Sequence, residues 1–460
     1  MSDLILETPA GDVRGLHAVA EGGLEAFLAA RPVAVSRAAA LHAFKAKAGQ
    51  VLVAADDAGA VTAVLGLGET AKADVFRAAP ARLPAGDYGL AEIPAGLTFE
   101  AIALAWAMGG YRYERYHKPK DAPARLVAPA GVDLAEVRQV AASLALARDL
   151  INTPANDMGP VEMEMAAREV AEAFGAEIGV VAGDALLAAG YPAVHAVGRA
   201  ADPRRAPRMI EISWGRRRHP LVALVGKGVV FDTGGLDLKT AAGMRLMKKD
   251  MGGPAHSLAL ARMAMAAKLP IRLVTLLPVV ENAVSGDAMR PGDVLASRKG
   301  LTIEVGNTDA EGRLILADAL ARAAELNPVL TLDFATLTGA ARVALGPEVA
   351  PFYTDDDALA AELAAAGAAE GDPLWRMPLW SGYEAALDSD IADLKNDPDA
   401  WAQAGSVTAA LFLRRFAPKT AWAHFDIFAW NPRGRPGWPA GAEAQAIRAC
   451  YAVLKARYAR

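Results

Sequence analysis

Short apolar runs alternate with longer helical patterns along the part of the chain that follows residue 220. Residues 221–225, 271–277 and 329–334 are short, largely apolar runs of the kind that form buried strands. Residues 257–268 and 313–326 repeat apolar side chains at helical spacing. This order of strand, helix and strand predicts a mostly parallel sheet with helices on both faces, and such sheets hold their ligands at the carboxyl ends of the strands.

The first part of the chain has a different rhythm. Apolar runs at 51–54 and 61–66 lie between turns rich in glycine and proline, and a helical pattern covers residues 99–108. A passage rich in proline and charge, 117–131, then lowers the apolar density before the next long helix. We therefore predict two domains of the α/β class. They are a small N-terminal α/β domain, residues 1–131, and a larger C-terminal α/β/α domain with a mostly parallel central sheet, residues 132–460.

Composition and charge exclude several classes of protein. Apolar residues make up 53% and charged residues 22% of the 460 positions, which is typical of a globular chain. The formal net charge of −5 gives no global attraction to nucleic acid or to an anionic membrane, so we expect neither as a partner. The single cysteine, Cys450, excludes an internal disulfide and fits a reducing cytoplasm. The sequence predicts neither a signal peptide nor a membrane span.

The first cluster of chemically active side chains lies in VGKGVVFDTGGLDLKTAAGMRLMKKDMGG, residues 225–253. It follows directly on a predicted strand, and its glycines allow the backbone to turn sharply. Its ionisable residues of interest are Lys227, Asp232, Lys239 and Asp250.

The second cluster is NTDAEGRL, residues 307–314, which lies before the helix predicted at 313–326. Asp309 and Glu311 are therefore expected at or just before a helix N-terminus, where amide dipoles stabilise carboxylates and can hold a small anion. Arg313 follows beside them.

Carboxylates that converge from two clusters need a countercharge. Two divalent cations, held roughly 3.5–4 Å apart by bridging ligands, would supply it. The seven histidines are scattered and form no HExxH pair, so a metal site here would be rich in oxygen ligands.

Each residue also has a simpler interpretation. A lone acid after a strand usually caps a helix, and a lone lysine is usually a solvated surface charge. The GKG triplet is a weak signal for a phosphate-binding loop, because no GxxxxGK[ST] string is present. His256, close in sequence to the first cluster, is expected as a polar residue in the first turn of a helix, with a role behind the site as the alternative.

Taken together, the two clusters closely resemble the signature segments of the cytosolic leucine aminopeptidase family, the M17 metallopeptidases. NTDAEGRL is the hallmark string of that family. The resemblance extends over most of the second domain, whereas the first hundred residues carry no string of comparable specificity; family members have a variable α/β domain there. The further strings that carry it are GGYRYERY, NTPAND, DFATLTGA, DIADLKN, AGSVTAALFL and WAHFDI.

The resemblance implies two divalent metal ions per subunit, Zn²⁺ or Mn²⁺, with Mg²⁺ and Co²⁺ as alternatives. Asp232 and Glu311 would be the carboxylates that bridge both ions. Lys227 and Asp250 would complete the tighter site, and Asp309 would hold the more exchangeable ion. A lysine binds a metal only as the neutral amine, so the ions must lower its ordinary pKa of about 10.4.

Two further residues would act on the substrate. The resemblance gives Lys239 a charged role, in which it stabilises the oxyanion that forms when water attacks the scissile carbonyl. Arg313 would hold a bicarbonate ion, which serves in the family as general base toward that water. One metal ion would bind the free α-amino group of a peptide and so reject peptides with blocked ends.

The resemblance also implies a pocket and an assembly. Met247, Thr336 and Gly339 fall where the family builds the pocket for the first side chain, which suggests an apolar pocket for leucine- or methionine-like residues. Peptides are the expected substrates, the expected assembly is a homohexamer, and the expected location is the cytoplasm. The predicted function is a metal-dependent aminopeptidase of the leucyl aminopeptidase type.

Two alternatives belong to other functional classes. A different two-metal hydrolase that acts on amides or phosphoesters would use the same chemistry, although the extent of the resemblance argues against it. A non-catalytic binding or DNA-associated protein is supported only by the basic run 216–218, which is usually a solvated hairpin tip. Inactive relatives tend to lose ligands first, and all seven metal and catalytic residues are present here, which favours an enzyme.

Overall fold

A computed structural model describes residues 4–9, 11–117, 121–398 and 403–459 of the chain. The chain divides into two compact units. The first consists of Met1–Ala145 and Asn431–Gly441, and the second of Leu146–Trp430 and Ala442–Arg460. The domain limit at residue 131, which rests on composition, stays a prediction. No helix in the described ranges is long and apolar enough to cross a membrane.

The first unit is a sheet with accompanying helices. Its strands are β1 (Ile5–Leu6), β2 (Val13–Ala20), β3 (Val51–Ala55), β4 (Val61–Gly68), β5 (Gly86–Leu90) and β6 (Ala124–Val127). They form a six-stranded sheet of order β1-β6-β5-β2-β4-β3, in which every neighbouring pair is parallel except β3 and β4. The helices are α1 (Leu24–Ala29), α2 (Val33–Leu41), α3 (Ala79–Arg82) and α4 (Phe99–Gly109); α5 (Ala135–Asn152) continues into residues of the second unit.

The elements predicted for this part of the chain are present. The apolar runs at 51–54 and 61–66 are β3 and β4, and the helical pattern at 99–108 is α4. Trp106 of α4 is fully buried, and its Nε1 donates to the carbonyl oxygen of Ala124 in β6 at 3.2 Å. Burial of a large aromatic side chain with its one polar group satisfied stabilises the helix against the sheet. The predicted small α/β domain is confirmed.

The second unit has more elements. Its strands, with two short ones at its boundary with the first unit, are β7 (Glu177–Ala182), β8 (Arg208–Trp214), β9 (Leu221–Gly226), β10 (Gly228–Asp232), β11 (Arg272–Asn282), β12 (Val294–Ala296), β13 (Thr302–Glu304), β14 (Leu330–Ala335), β15 (Ala350–Tyr353), β16 (Leu374–Arg376), β17 (Leu394–Lys395), β18 (Ala421–Asp426), β19 (Trp430–Asn431) and β20 (Gly441–Ala442). Its helices are α6 (Pro160–Phe174), α7 (Ala185–Ala188), α8 (Pro192–Gly198), α9 (Ala241–Met244), α10 (Gly252–Ala266), α11 (Glu311–Glu325), α12 (Gly339–Leu345), α13 (Asp357–Glu370), α14 (Gly405–Arg414) and α15 (Ile447–Tyr458).

A nine-stranded sheet forms the centre of the second unit. Eight strands lie in the order β16-β15-β18-β14-β9-β11-β8-β7, and β10 pairs with β11 beside that path. Among the neighbouring pairs, β18 with β14, β14 with β9, β9 with β11, and β10 with β11 are parallel. The pairs of β15 with β18, β11 with β8 and β8 with β7 are antiparallel. The prediction of a larger α/β domain with a mostly parallel sheet is confirmed, and its parallel strands end at one common edge.

Two local predictions differ from the structure. Helix α10 extends over Gly252–Ala266, so it begins before the helical repeat predicted at 257–268. The first turn was not predicted, because it contains two glycines and glycine is a poor helix former. Glycine is nevertheless required at position 253, since a Cβ on Gly253 would lie 2.3 Å from the Phe334 carbonyl oxygen. The basic run 216–218 is an exposed turn between β8 and β9. Those strands each pair with β11 and not with each other, so the run is no hairpin tip.

Candidate active site

The predicted site residues come together at the carboxyl ends of the parallel strands. Lys227 follows β9, Asp232 ends β10, and Thr336 follows β14. A cavity of about 770 Å³ lies there, lined by six of the seven residues predicted as metal ligands or catalytic groups. The seventh, Glu311, is fully buried at the first position of α11. The two sequence clusters therefore form a single site.

Three carboxylates dominate this site. Asp232, Asp309 and Glu311 each place one oxygen within 4.8 Å of the others. Burial raises the pKa of Glu311, and the neighbouring charge of Asp232 raises it further. The pKa of Asp309 is raised by the same two causes in the same order. Like charges held this close in a poorly solvated place require cations beside them.

Lys227 supplies one of those positive charges from the interior. It is buried, and its Nζ lies 2.7 Å from Asp250 Oδ2 and 3.0 Å from Glu311 Oε1. Burial by itself lowers the pKa of Lys227, but the surrounding carboxylates, Asp250 first, outweigh it and raise the pKa above its ordinary value. Asp250 is fixed on its other side, since its Oδ1 accepts a hydrogen bond from Thr336 Oγ1 at 2.8 Å.

Lys239 contacts the carboxylates from the loop that precedes α9. Its Nζ lies 2.9 Å from Asp232 Oδ2 and also forms an ion pair with Asp309. Burial opposes the charge of Lys239, yet these partners raise its pKa. The loop turns at Gly234 and Gly235, whose φ angles of +91° and +67° are in the region that L side chains rarely adopt. The sharp glycine turn predicted for this cluster is therefore present.

The glycine inside NTDAEGRL makes room for Lys227. A Cβ built on Gly312 would lie 2.3 Å from Lys227 Cε and 2.7 Å from its Nζ. No side chain fits there unless the lysine moves, because both residues are enclosed by packed atoms. Gly312 thus lets the first turn of α11 approach the lysine closely enough for the ion pair with Glu311.

Two asparagines that sequence reasoning missed hold the acids in place. Asn396 Nδ2 donates to the carbonyl oxygens of Asn307 at 2.8 Å and Ala310 at 3.2 Å, and so fixes both ends of the loop that carries Asp309. Asn282 Nδ2 donates to an acid directly, the Oδ1 of Asp232, at 2.8 Å. Asn396 ends the string DIADLKN and was a usable signal; Asn282 ends a buried strand, and nothing local marks it.

Arg313 lies beside the acids with part of its hydrogen-bonding capacity unused. It is buried, and its Nη1 donates to the carbonyl oxygen of Asn396 at 2.6 Å. Its Nε is also buried and has no hydrogen-bond partner within the described ranges. Buried N–H groups of this kind normally have a partner, so the guanidinium is a candidate site for an anion.

The wall of the cavity combines apolar and charged groups. Met247, Thr336 and Gly339, predicted to contact a first side chain, all line it. So does Lys249, which sequence reasoning passed over. Lys249 is buried, and burial lowers its pKa to about 8. Its Nζ lies 5.0 Å from the ring centre of Phe428, another residue of the wall. The pocket was predicted to be apolar, but its wall also contains the buried amine of Lys249.

His256 does not join the acids. It lies early in α10, fully buried, and it is not among the residues that line the cavity. Its Nδ1 donates to the Gly252 carbonyl oxygen at 2.7 Å, and its Nε2 accepts from the backbone N–H of Gln445 at 3.0 Å. Burial lowers the pKa of His256 to about 4, so the ring is neutral. It anchors the segment around Gln445.

The donor set fits divalent metal ions. Three carboxylate oxygens converge within 4.8 Å, and a lysine amine lies beside them. Glu311 Oε2 is buried and receives no hydrogen bond from any described residue, and Glu311 Oε1 has only the ion pair with Lys227, although buried carboxylate oxygens normally accept hydrogen bonds. Oxygen-rich ligands with one nitrogen suit ions such as Mn²⁺, Mg²⁺ and Zn²⁺.

Comparison with known families agrees with this geometry. The profile of the cytosol aminopeptidase family's catalytic domain matches residues 145–451, and that of the M17 aminopeptidase N-terminal domain matches residues 15–129. These matches define the class as peptide hydrolases of the aminopeptidase type. The chain belongs to the cytosol aminopeptidase family, M17.

Individual relatives extend over nearly the whole chain. A probable cytosol aminopeptidase of Syntrophotalea carbinolica is 37% identical over 449 residues, which cover 90% of either chain. The solved cytosol aminopeptidase of Coxiella burnetii is 41% identical and superposes with a TM-score of 0.92, over 99% of this chain and 100% of that one. The bottromycin maturation enzyme BotP, solved in complex with Mn, is 34% identical with a TM-score of 0.87, over 97% and 100% of the two chains.

Gly312→Ala should weaken metal binding, because the added methyl group displaces Lys227 from the acids. We expect the affinity for Mn²⁺ to fall by about 10-fold or more, the range seen when groups that orient metal ligands are disturbed. Isothermal titration calorimetry measures it. The matched control is Gly339→Ala in the same cavity, where an added Cβ has no atom within 4 Å. Equal affinities in the two variants would show that Lys227 accommodates the methyl group without loss.

Proposed function

We propose that the protein is a two-metal aminopeptidase that releases N-terminal residues, leucine-like ones among those preferred, from peptides. One observation carries the proposal. Three acids from two distant sequence clusters converge within 4.8 Å, and every one of them is paired with a lysine. Helix capping and solvated surface charge do not explain that arrangement. Membership of the family supplies the reaction, hydrolysis of the peptide bond next to a free amino end.

We assign two divalent ions, Zn²⁺ or Mn²⁺, to the acid cluster. Asp232 and Glu311 would bridge them. Lys227 and Asp250 would complete one site, and Asp309 would serve the other. The convergence of Lys227 Nζ on two of these acids within 3.0 Å supports the first site, and the solved complex of BotP with Mn supports manganese. When bound, the ions would polarise the scissile carbonyl and acidify the attacking water.

The two lysines would differ in protonation. Lys227 can bind an ion only as the neutral amine, and cations among its carboxylate neighbours would reverse the balance of charge that raises its pKa. Lys239 would keep its proton. Its two carboxylate neighbours favour the charged form of the amine. Because Lys239 also lines the cavity, this positive charge would stabilise the negative charge that develops on the scissile carbonyl oxygen.

We place a bicarbonate ion beside Arg313. The hydrogen bond to the Asn396 carbonyl oxygen fixes the guanidinium, and the buried Nε is left for an anion. Bicarbonate held there would accept a proton from the attacking water. This assignment supplies a general base where none of the described residues around the cavity is a histidine.

The first side chain of the substrate would lie against Met247, Thr336 and Gly339. These residues share the cavity with the apolar side chains of Leu337 and Ile427. Burial of a leucine or methionine side chain there would contribute about 2 kcal/mol to binding. We therefore propose leucine- and methionine-like residues as the preferred apolar class.

We also propose that the protein is a cytoplasmic homohexamer. The location follows the name of its relatives, cytosol aminopeptidases. For the assembly, three large apolar side chains of the second unit, Trp375, Trp380 and Ile391, are 60%, 61% and 62% exposed, and apolar surface of this kind is often covered by a partner. Sedimentation velocity should give the mass of six chains, and a single monomeric species at micromolar concentration would refute the assembly.

The assay that tests the function is release of leucine from a Leu-Gly peptide, with and without an N-acetyl group. Protein loaded with Zn²⁺ or Mn²⁺ should cleave the unblocked peptide alone, because the free amino group is part of what the site binds. Chelation should abolish the activity and added metal should restore it. Absence of turnover with either metal, in protein shown to be folded and loaded, would refute the proposal.

Lys239→Ala should lower kcat by about 100-fold or more, because it removes a charge that acts mainly in the transition state. Metal content should stay the same. The comparison variant is Lys239→Arg, which keeps a positive charge and should recover part of the rate. Steady-state kinetics with elemental analysis measure both quantities. Loss of metal in Lys239→Ala would instead make this lysine part of the metal site.

A further inference from the structure

Lys249 differs from the other two lysines of the cavity. Lys227 and Lys239 each lie against two carboxylates. Lys249 is only 6% exposed and lines the same cavity, yet within the described ranges no carboxylate lies at ion-pair distance from its Nζ and no acceptor is hydrogen-bonded to it. The neighbour of the ammonium group is the ring of Phe428, 5.0 Å away.

A second cation lies against the same ring. The guanidinium carbon of Arg342 is 5.1 Å from the ring centre of Phe428, and Arg342 also lines the cavity. It has no ion pair or side-chain hydrogen bond among the residues that the structure describes. Cation–π contacts are weak and do not replace the hydration lost by a buried ammonium group. This wall therefore carries two positive charges, and no carboxylate of the described residues lies at ion-pair distance from either of them.

The position of this wall points to the substrate's first side chain. Lys249 is two residues from Met247 and directly precedes Asp250, and it shares the cavity with Thr336 and Gly339. An apolar side chain that enters the cavity would displace water from the ammonium group without replacing the hydrogen bonds that the water made. A carboxylate would form an ion pair in a poorly solvated place, where charge-assisted hydrogen bonds are strongest.

Building on the proposed aminopeptidase function, we propose that Lys249, assisted by Arg342, lets the pocket accept peptides whose first residue carries a carboxylate, glutamate or aspartate, in addition to apolar first residues. The acid is recognised by a charge-assisted contact with the buried ammonium group. Phe428 supports both cations by contact with its ring.

The test compares two substrates of equal shape and different charge. Glutamyl and glutaminyl aminomethylcoumarin amides have a free amino end and no terminal carboxylate, so the ratio of their kcat/KM values isolates recognition of the side-chain charge. Lys249→Met keeps the length of the side chain and removes the ammonium group. We expect the Glu-to-Gln ratio to fall by about 10-fold or more, mainly through KM, since the contact exists before and during the reaction.

Three further variants separate recognition from structure. Lys249→Arg keeps the charge and should keep the ratio within about threefold. Arg342→Gln changes an exposed residue and should lower the ratio severalfold even if Lys249→Met fails to fold. The matched control is Lys248→Met: its Nζ donates to the Asn152 carbonyl oxygen at 2.6 Å, and the residue does not line the cavity. It removes a nearby charge and should leave the ratio within about twofold.

The outcomes are distinct. Failure of the loaded wild-type protein to release leucine, glutamine or glutamate would refute the proposed function itself. Release of leucine and glutamine but not glutamate, or an unchanged ratio in both Lys249→Met and Arg342→Gln, would refute only the role of this wall. If Lys249→Met instead slowed cleavage of Leu-Gly but not of its C-terminal amide, the lysine would bind the far end of a dipeptide, and the inference would be wrong.

Discussion

The concentration of buried negative charge at one edge of the sheet is the constraint on which the rest of the site depends. Asp232, Asp309 and Glu311 cannot share so small a volume unless positive charge lies among them. Lys227 and Lys239 supply this positive charge through ion pairs with the acids. The tight backbone contacts around them follow from the same need, because the cations and acids must meet without intervening water.

Much of the fold could be predicted because buried parallel strands have a simple signature. β9, β11 and β14 are covered on both faces, so their sequences are largely apolar and stand out from the helices between them. The start of α10 was missed for a physical reason. Its first turn lies against the strand ends, where only glycine fits, and glycine is the residue that local propensity counts against a helix.

The charged members of the site could be predicted, whereas their supports could not. Acids and lysines in glycine-rich sequence after strands are conspicuous in a single chain. Asn282 and Asn396 hold the acids through contacts 50 to 89 residues away in sequence, and no local pattern encodes such partners. The character of the pocket was hidden for a similar reason, since Lys249 resembles an ordinary surface lysine until the fold encloses it beside Phe428.

The hydrogen bonds from Asn396 to Asn307 and Ala310, which act as a clamp on the loop, also have a consequence for folding during synthesis. The loop that carries Asp309 is fixed by a side chain 86 residues beyond Ala310, so its geometry depends on contacts of high sequence separation, which form late in folding. A nascent chain that has been synthesised only as far as the acids lacks the clamp. We therefore expect the loop that carries Asp309 to take its final geometry only after residue 396 has emerged from the ribosome.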